Sequence, residues 1–206
     1  MVRRFFEEQI RELLEDLLEM GDMVTGSIGR SIQALAQQDE ALAQEVIAYD
    51  DEINAIQQEI DEKCLVLLAT QQPMASDLRA IMAISNIAAE LERMGDYTEG
   101  IARLAIKLSD RPLLKPLIDI PRMAEGSRRM LTSALEAFAR QDVEAAEAVG
   151  KADDEIDALY DQVMYILFPP KRIEIDISRQ HLWTFEGDTL IHSFPVSTGL
   201  PGRDTA

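Results

Sequence analysis

Three carboxylates in one short segment, AELERMGDYTEG at 89–100, are spaced so that they can act together. Glu92, Asp96 and Glu99 follow one another at intervals of four and three residues. On a helix these intervals place the side chains of Asp96 and Glu99 within about 40° of that of Glu92. Hard cations prefer oxygen ligands, so this ladder offers part of a metal site, and a neighbouring helix has to supply the remaining ligands.

The helix expected before this segment carries oxygen donors at the same spacing. Asp50 and Asn54 are four residues apart, and an internal repeat places Asp153 and Asp157 at the equivalent positions. Acidic residues at helical spacing are also typical of a solvated face, on which Arg93 and Arg103 would neutralise the carboxylates. Spacing alone does not decide between a metal site and a solvated face.

Long helices are expected to position these residues, because apolar residues recur every three or four positions from about residue 3 to 168. The first helix runs to Asp39, a predicted N-cap for the second. Pro73 interrupts the pattern, and Ser76 is a predicted cap for the third helix. The third, fourth and fifth helices are expected over about 77–109, 117–140 and 143–168.

The helices form a repeat, because QQDEALAQEVIAYDDEINAI at 37–56 matches RQDVEAAEAVGKADDEIDAL at 140–159 with a constant offset of 103 residues. The predicted fold is all-α, an antiparallel tandem three-helix bundle with a truncated second repeat. Repeat one spans 3–110 and repeat two spans 116–168, within a helical domain at 1–168. The missing helix is expected to leave apolar surface around Phe138, Leu159, Met164 and Leu167.

The pattern of apolar residues changes after Phe168. RIEIDIS alternates apolar and polar residues, and HLWTFEGDTLIHSF adds two strand-like runs around a turn at Glu186, Gly187 and Asp188. A short C-terminal β-hairpin or meander is therefore predicted within a second segment at 169–206. The net charge of the whole chain is -18, and the tail contributes little of it, so the acidity belongs to the helices.

Composition excludes several classes of function. The strong negative charge disfavours nucleic acid and anionic lipid as partners. No apolar stretch is long enough to span a membrane, the N-terminal segment lacks the apolar centre of a signal peptide, and a cytoplasmic protein is expected. Cys64 is the only cysteine, which excludes a disulfide within the chain, and it lies on a predicted buried stripe. Both histidines, His181 and His192, lie in the tail, so the bundle is expected to be non-enzymatic.

Three motifs, DDEIN at 50–54, QQPMASDLRAI at 71–81 and LERMGDYTEGIA at 91–102, together resemble the PhoU family of phosphate transport and signalling regulators. The resemblance covers about residues 3–168. It implies a cytoplasmic helical protein, commonly a homodimer, that acts between the ATPase of a phosphate ABC transporter and a membrane sensor histidine kinase. Such a protein lowers phosphate uptake and represses the phosphate-starvation response when phosphate is plentiful.

The same resemblance implies metal binding, because family members carry E(D)-x-x-x-D motifs that hold multinuclear iron or zinc clusters. The implied metal ligands, for iron, zinc or another divalent cation, are Glu92, Asp96, Asp50, Asn54, Asp153 and Asp157. The chain departs from the family pattern at Gly100, where an Asn is usual. Repeat two also lacks the third helix that would carry its own E-x-x-x-D pair, so Asp153 and Asp157 lack their expected partners.

The tail is similar to another family. IEIDISRQHLWTFEGDTLIHSFPVSTGLPGRDT at 173–205 resembles the opening strands of L,D-transpeptidase domains of the YkuD type. The catalytic His and S-x-G-C segment of that family would follow later, so the tail is expected to be inactive. An alternative hypothesis is therefore a truncated L,D-transpeptidase fused to a helical adaptor, and the junction is interpreted as a joined or truncated reading frame.

Overall fold

Five α-helices precede three β-strands in the computed structural model, which describes residues 2–113, 116–167, 171–176 and 181–195. The elements are α1 (Val2–Gln37), α2 (Glu40–Gln71), α3 (Ala75–Leu108), α4 (Asp119–Arg140), α5 (Val143–Leu167), β1 (Lys171–Asp176), β2 (His181–Glu186) and β3 (Thr189–Pro195). The predicted helical class with a short C-terminal meander is confirmed. None of the helices in these ranges is both long and apolar enough to cross a membrane.

The chain divides into two compact units, Met1–Ile156 and Asp157–Ala206. In the first unit α1, α2 and α3 pack against one another, and α4 packs on α1. The sequence-based boundary between a helical domain at 1–168 and a segment at 169–206 stays a prediction. The boundary between the two units lies inside α5, between Ile156 and Asp157, and therefore before the chain changes from helix to strand.

The turn between α1 and α2 shows how the sequence ends one helix and starts the next. Gln38 adopts the left-handed conformation with a φ of 55°, and the Asp39 amide donates to the Ala34 carbonyl at 3.0 Å. The Asp39 side chain then accepts a hydrogen bond from the Leu42 amide at 3.0 Å. These are the contacts of a helix C-terminus followed by an N-cap, so the predicted cap at Asp39 is confirmed.

The start of α3 differs from the prediction at Ser76. The helix begins at Ala75, and its N-cap residue is Met74, which has no capping side chain. Ser76 therefore lies inside the first turn, where its hydroxyl donates to the Asp77 carboxylate at 3.4 Å. Pro73 lies immediately before the N-cap residue, and its fixed φ and missing amide hydrogen separate α2 from α3 without help from a serine cap.

The core of the first unit forms where apolar stripes of α1, α2 and α3 meet. The stripe predicted along the first helix is almost entirely buried, including Leu13, Leu17, Met20 and Val24. Ile53, Ile60, Ile84 and Leu91 are the corresponding fully buried residues of α2 and α3. A smaller cluster around Ala34, Val46 and Ala102 closes the end near the first turn. This packing fixes which faces of α2 and α3 meet.

Cys64 is part of this core, with 3% of its surface exposed. Burial raises the pKa of the Cys64 thiol from 9.0 to about 11, and the nearby Asp61 carboxylate makes a smaller contribution in the same direction. At pH 8 the lower thiolate fraction alone is expected to slow alkylation by roughly a hundredfold relative to the unfolded chain. Iodoacetamide labelling with and without guanidinium measures this ratio, and equal rates would contradict the buried position.

The described strands of the second unit form an antiparallel meander in the order β1-β2-β3. Ile173 of β1 pairs with Thr184 of β2, and Thr184 also pairs with His192 of β3. Gly187 has a φ of 59° in the turn between β2 and β3, a conformation that favours glycine. The predicted strands and the predicted turn are therefore confirmed.

The expected apolar surface on the last two helices is only partly as predicted. Phe138 is half-buried and packs against the core cluster of the first unit. Leu159 and Met164 are half-buried, whereas Tyr160, Tyr165 and Ile166 of α5 are exposed. The side chain of Leu167 lies outside the described residues. Exposed apolar surface is therefore present on α5, but at different residues from those predicted.

Candidate metal centre

Asp50 is a buried carboxylate on the side of α2 that faces α3, and only 6% of its surface is exposed. Its Oδ2 accepts a hydrogen bond from Asn54 Nδ2 at 3.1 Å. The Oδ1 atoms of Asp50 and Asn54 are buried and have no hydrogen-bond partner within the described part of the chain. An unpartnered buried polar atom costs about 1–3 kcal/mol, and a cation at this position would satisfy these acceptors.

Gly95 of α3 leaves the room for the Asp50 carboxylate. A Cβ atom at Gly95 would lie 2.9 Å from Asp50 Oδ1 and 3.3 Å from Ile53 Cγ2, both closer than ordinary van der Waals contact. The absent side chain thus brings α3 directly over Asp50. The motif-based prediction did not include Gly95. A glycine inside a helix costs about 1 kcal/mol of stability relative to alanine. Its presence at position 95 of a helical pattern is therefore the sequence signal that could have indicated close packing.

Two buried hydroxyl groups hold α3 at the same level. Thr98 Oγ1 donates to the Gly95 carbonyl at 2.9 Å and lies 2.6 Å from Ser27 Oγ of α1. Because the Thr98 hydrogen is directed at the carbonyl, Ser27 is the donor to Thr98. The hydroxyl pair joins α1 to the turn of α3 that contains Gly95. Residues of all three helices therefore determine the position of Asp50.

The carboxylates of α3 act electrostatically on Asp50. Burial raises the pKa of Asp50 above its usual 3.8, and the negative charges of Asp96, Glu99 and then Glu92 raise it further. The hydrogen bond from Asn54 opposes these effects and lowers the pKa. Excess negative charge therefore surrounds a buried carboxylate, and a bound cation would relieve both the repulsion and the cost of burial.

The two arginines considered as partners of the acidic ladder behave differently. Arg103 binds Glu99 one turn away, at 2.5 Å, whereas Arg93 binds Glu90 at 2.5 Å. Glu92 is half-buried and Asp96 is exposed. Arg103 therefore neutralises Glu99, as expected for a solvated face. Arg93 pairs with Glu90 and does not neutralise Glu92 or Asp96. Glu92 and Asp96 remain the carboxylates available to a ligand next to Asp50.

The oxygen donors around Asp50 fit a metal ion only in part. Within the described ranges, no three His, Cys, Asp or Glu side chains lie close enough together to hold one ion. A metal ion at Asp50 therefore requires the side chains of Glu92 and Asp96 to turn toward it. The donors are otherwise suitable, because they are all oxygen atoms, carry excess negative charge and include two buried acceptors without partners.

The corresponding positions of repeat two are arranged differently. Asp153 and Asp157 are both on α5, and both are exposed. Asp153 is the counterpart of Asp50 in the repeated DDEI motif, yet no helix equivalent to α3 follows α5 in the described residues. In repeat one the carboxylates of Glu92 and Asp96 act on Asp50 from α3, whereas the repeat-two pair has no counterpart of α3 within the described residues.

The comparison with known families identifies the helical part. The family model described as PhoU domain matches residues 17–105 and 120–169. The chain is 37% identical over 172 residues to a phosphate-specific transport system accessory protein PhoU homolog from Aquifex aeolicus. That alignment covers 81% of this chain and 78% of the relative. The family match ends at residue 169, and the resemblance of the tail to L,D-transpeptidases stays a prediction.

Solved structures agree with this assignment. The crystal structure of PhoU from Pseudomonas aeruginosa matches with a TM-score of 0.73 and 34% identity, over 80% of this chain and 82% of the other. The phosphate transport system regulatory protein PhoU from Streptococcus pneumoniae matches with a TM-score of 0.72 and 31% identity, over 79% and 76%. Both similarities combine fold with substantial sequence identity. From the family match and these relatives we conclude that the chain belongs to the PhoU family.

Proposed function

We propose that this protein is an accessory regulator of a phosphate-specific transport system, which lowers phosphate uptake and represses the phosphate-starvation response when phosphate is plentiful. Membership of the PhoU family carries this proposal, because relatives with 33–37% identity are named as accessory proteins of such a system. The strand segment belongs to no part of the proposed activity. The regulation is proposed to take place in the cytoplasm and to involve no catalysed reaction.

The proposed partners are the ATPase of a phosphate ABC transporter and the cytoplasmic part of a membrane sensor histidine kinase. A helical bundle with large exposed helix faces suits protein contacts, and its negative charge favours basic surfaces on the partners. A homodimer is the proposed assembly, in keeping with the family. Neither nucleic acid nor insertion into the membrane is part of the proposal.

Metal binding is proposed as part of this regulation. Asp50 and Asn54 of α2 would hold iron, zinc or another divalent cation together with Glu92 and Asp96 of α3, in a mononuclear or multinuclear site. Asp153 and Asp157 are the proposed ligands in repeat two. A cation held there would supply positive charge between α2 and α3, which would neutralise Asp50 and join the two helices. The unpartnered buried oxygens of Asp50 and Asn54 support this proposal.

Deletion of the gene tests the regulatory role. Loss of a negative regulator is expected to raise phosphate uptake and starvation-gene expression in phosphate-rich medium, and the intact gene should restore both. Purified full-length protein is also expected to capture the transporter ATPase or the kinase domain. Normal uptake in the deletion strain, together with capture of neither partner, would contradict the proposed function.

Metal analysis tests the proposed ligands. Glu92→Ala and Asp96→Ala are each expected to lower metal affinity by about tenfold or more, because even outer-shell partners of a metal contribute 10–100-fold. Elemental analysis after gel filtration measures the bound iron and zinc. Glu90→Ala is the matched control, since Glu90 is on the same helix but binds Arg93. Unchanged metal content in both test variants would reject the site.

A further inference from the structure

The turn between α4 and α5 repeats the turn between α1 and α2 in its backbone conformation and hydrogen bonds. Gln141 has the same φ of 55° as Gln38, and Asp142 repeats both hydrogen bonds of Asp39. Its amide donates to the Ala137 carbonyl at 2.9 Å, and its side chain accepts from the Ala145 amide at 3.0 Å. Each residue lies 103 positions after its counterpart. A surface used by one hairpin can therefore be located on the other.

In repeat one, α3 covers the surface between α1 and α2. Ser27 of α1 contacts Thr98, whereas Asp50 and Ile53 of α2 face Gly95. The covered residues are buried, since Val46 and Ile53 have no exposed surface. Small residues of α3 make this close approach possible. This defines the kind of helix that the hairpin accepts, one with a stripe of small and apolar residues.

The counterpart surface of repeat two is open. Val149 and Ile156, the counterparts of the buried Val46 and Ile53, are only half-buried, and Asp153 is exposed. Val149 and Ile156 line a groove of about 400 Å³ between α4 and α5, called the α4–α5 groove below. Its lining is mostly small and apolar and includes Gly126, Met130, Ala148, Val149, Ala152 and Ile156. Two residues of its lining, Val149 and Ile156, are therefore the counterparts of residues that α3 covers in repeat one.

The two sides of the α4–α5 groove differ in charge, because Arg129 lines the α4 side, whereas α5 forms an acidic rim. Residues 143–156 of α5 contain five carboxylates, Glu144, Glu147, Asp153, Asp154 and Glu155, against the single ammonium group of Lys151. A helix seated as α3 is seated in repeat one would bring its flank next to Asp153. Basic residues on that flank would be attracted, whereas acidic residues would be repelled. A second copy of this chain would bring the same carboxylates to the groove.

We propose that the α4–α5 groove binds an amphipathic helix of a partner protein, with a stripe of small and apolar residues facing the groove and basic residues along its flank. The internal repeat defines the helix and its stripe, and the acidic rim defines the charge of the flank. The proposal does not depend on metal at Asp50, Asn54, Glu92 and Asp96, nor on which regulatory partner the protein has. Because it shares Asp153 with the proposed ligands of repeat two, binding is measured in the presence of a chelator.

Two labelled peptides test this proposal with the full-length protein. One has the sequence of residues 81–105, and the other carries Glu92→Lys, Asp96→Lys and Glu99→Lys in the same sequence. Fluorescence anisotropy at fixed ionic strength is expected to show at least tenfold tighter binding of the basic peptide. Asp153→Lys in the protein is expected to reduce this preference, because the Lys flank then meets a positive charge.

A groove variant and a control locate the binding. Ala148→Trp fills the α4–α5 groove from an exposed position, so it is expected to weaken the basic peptide at least tenfold. Ala55→Trp, at an exposed alanine of α2, is expected to leave binding unchanged. Circular dichroism checks that both variants remain helical. Absence of binding, equal binding to Ala148→Trp, or a dimer that Ala148→Trp dissociates would overturn the proposal.

Discussion

Asp50→Asn is expected to stabilise the metal-free protein at neutral pH and to abolish the benefit of added metal. An asparagine at position 50 removes a buried charge that Asp96, Glu99 and Glu92 repel. Its amide can also donate to the unpartnered Asn54 Oδ1 while its carbonyl accepts from Asn54 Nδ2. Relief of these unpartnered acceptors contributes about 1 kcal/mol, or about 2–4 °C in Tm for a protein of this size.

The pH dependence of this gain has a defined sign. Because the pKa of Asp50 in the folded protein is raised, the native state binds more protons than the unfolded state between pH 3.8 and the raised value. The stability of the parent protein therefore falls as the pH rises through this interval. The Asp50→Asn variant does not lose stability in this interval. Its gain in the free energy of unfolding over the parent should therefore be largest above the raised pKa and should disappear in acid.

Added metal should make the parent protein more stable than Asp50→Asn, which reverses their order of melting temperature. A ligand at about one hundred times its Kd stabilises the state that binds it by about 2.7 kcal/mol, which exceeds the gain from the substitution. The parent is therefore expected to melt above Asp50→Asn when iron or zinc is present, and below it after chelation. Thermal denaturation with both treatments measures the crossover. Asp51→Asn, at the adjacent exposed carboxylate, is the control and should not cross.

Gly95→Ala and Gly100→Ala are expected to change stability in opposite directions, although both glycines lie within α3. The new methyl group at position 95 would meet Asp50 Oδ1 at 2.9 Å and Ile53 Cγ2 at 3.3 Å. Overpacking of this kind costs about 1–3 kcal/mol, more than the roughly 1 kcal/mol gained from helix propensity. At position 100 nothing lies within 4 Å, so the propensity gain remains.

The two glycine variants should therefore differ by about 2 kcal/mol in the free energy of unfolding. Urea denaturation of both proteins and of the parent measures this difference. Gly95→Ala should also weaken metal binding, because the methyl group displaces the Asp50 carboxylate, whereas Gly100→Ala should bind metal normally. If both variants were equally stable, the close contact between α3 and Asp50 would be refuted.

Local sequence patterns were sufficient for the helices and for the turn at Asp39. A cap needs only a carboxylate and an amide three residues later, and the pattern of apolar residues reports which side of a helix is buried. The prediction failed at Ser76 because the helix begins at Ala75, directly after Pro73 and Met74, and does so without a capping side chain. The role of Gly95 was also missed, because its contacts involve residues more than forty positions away.

The two DDEI motifs show the difference between features that follow from short-range patterns and features that follow from packing. The five helices and the four-residue spacing of the acidic pairs can be predicted from neighbouring residues, and the repeat can be found by aligning the chain with itself. Asp50 and Asp153 occupy the same place in that repeat, yet one is buried and the other exposed. The difference arises because α3 packs over Asp50 through Gly95, and burial depends on such long-range packing.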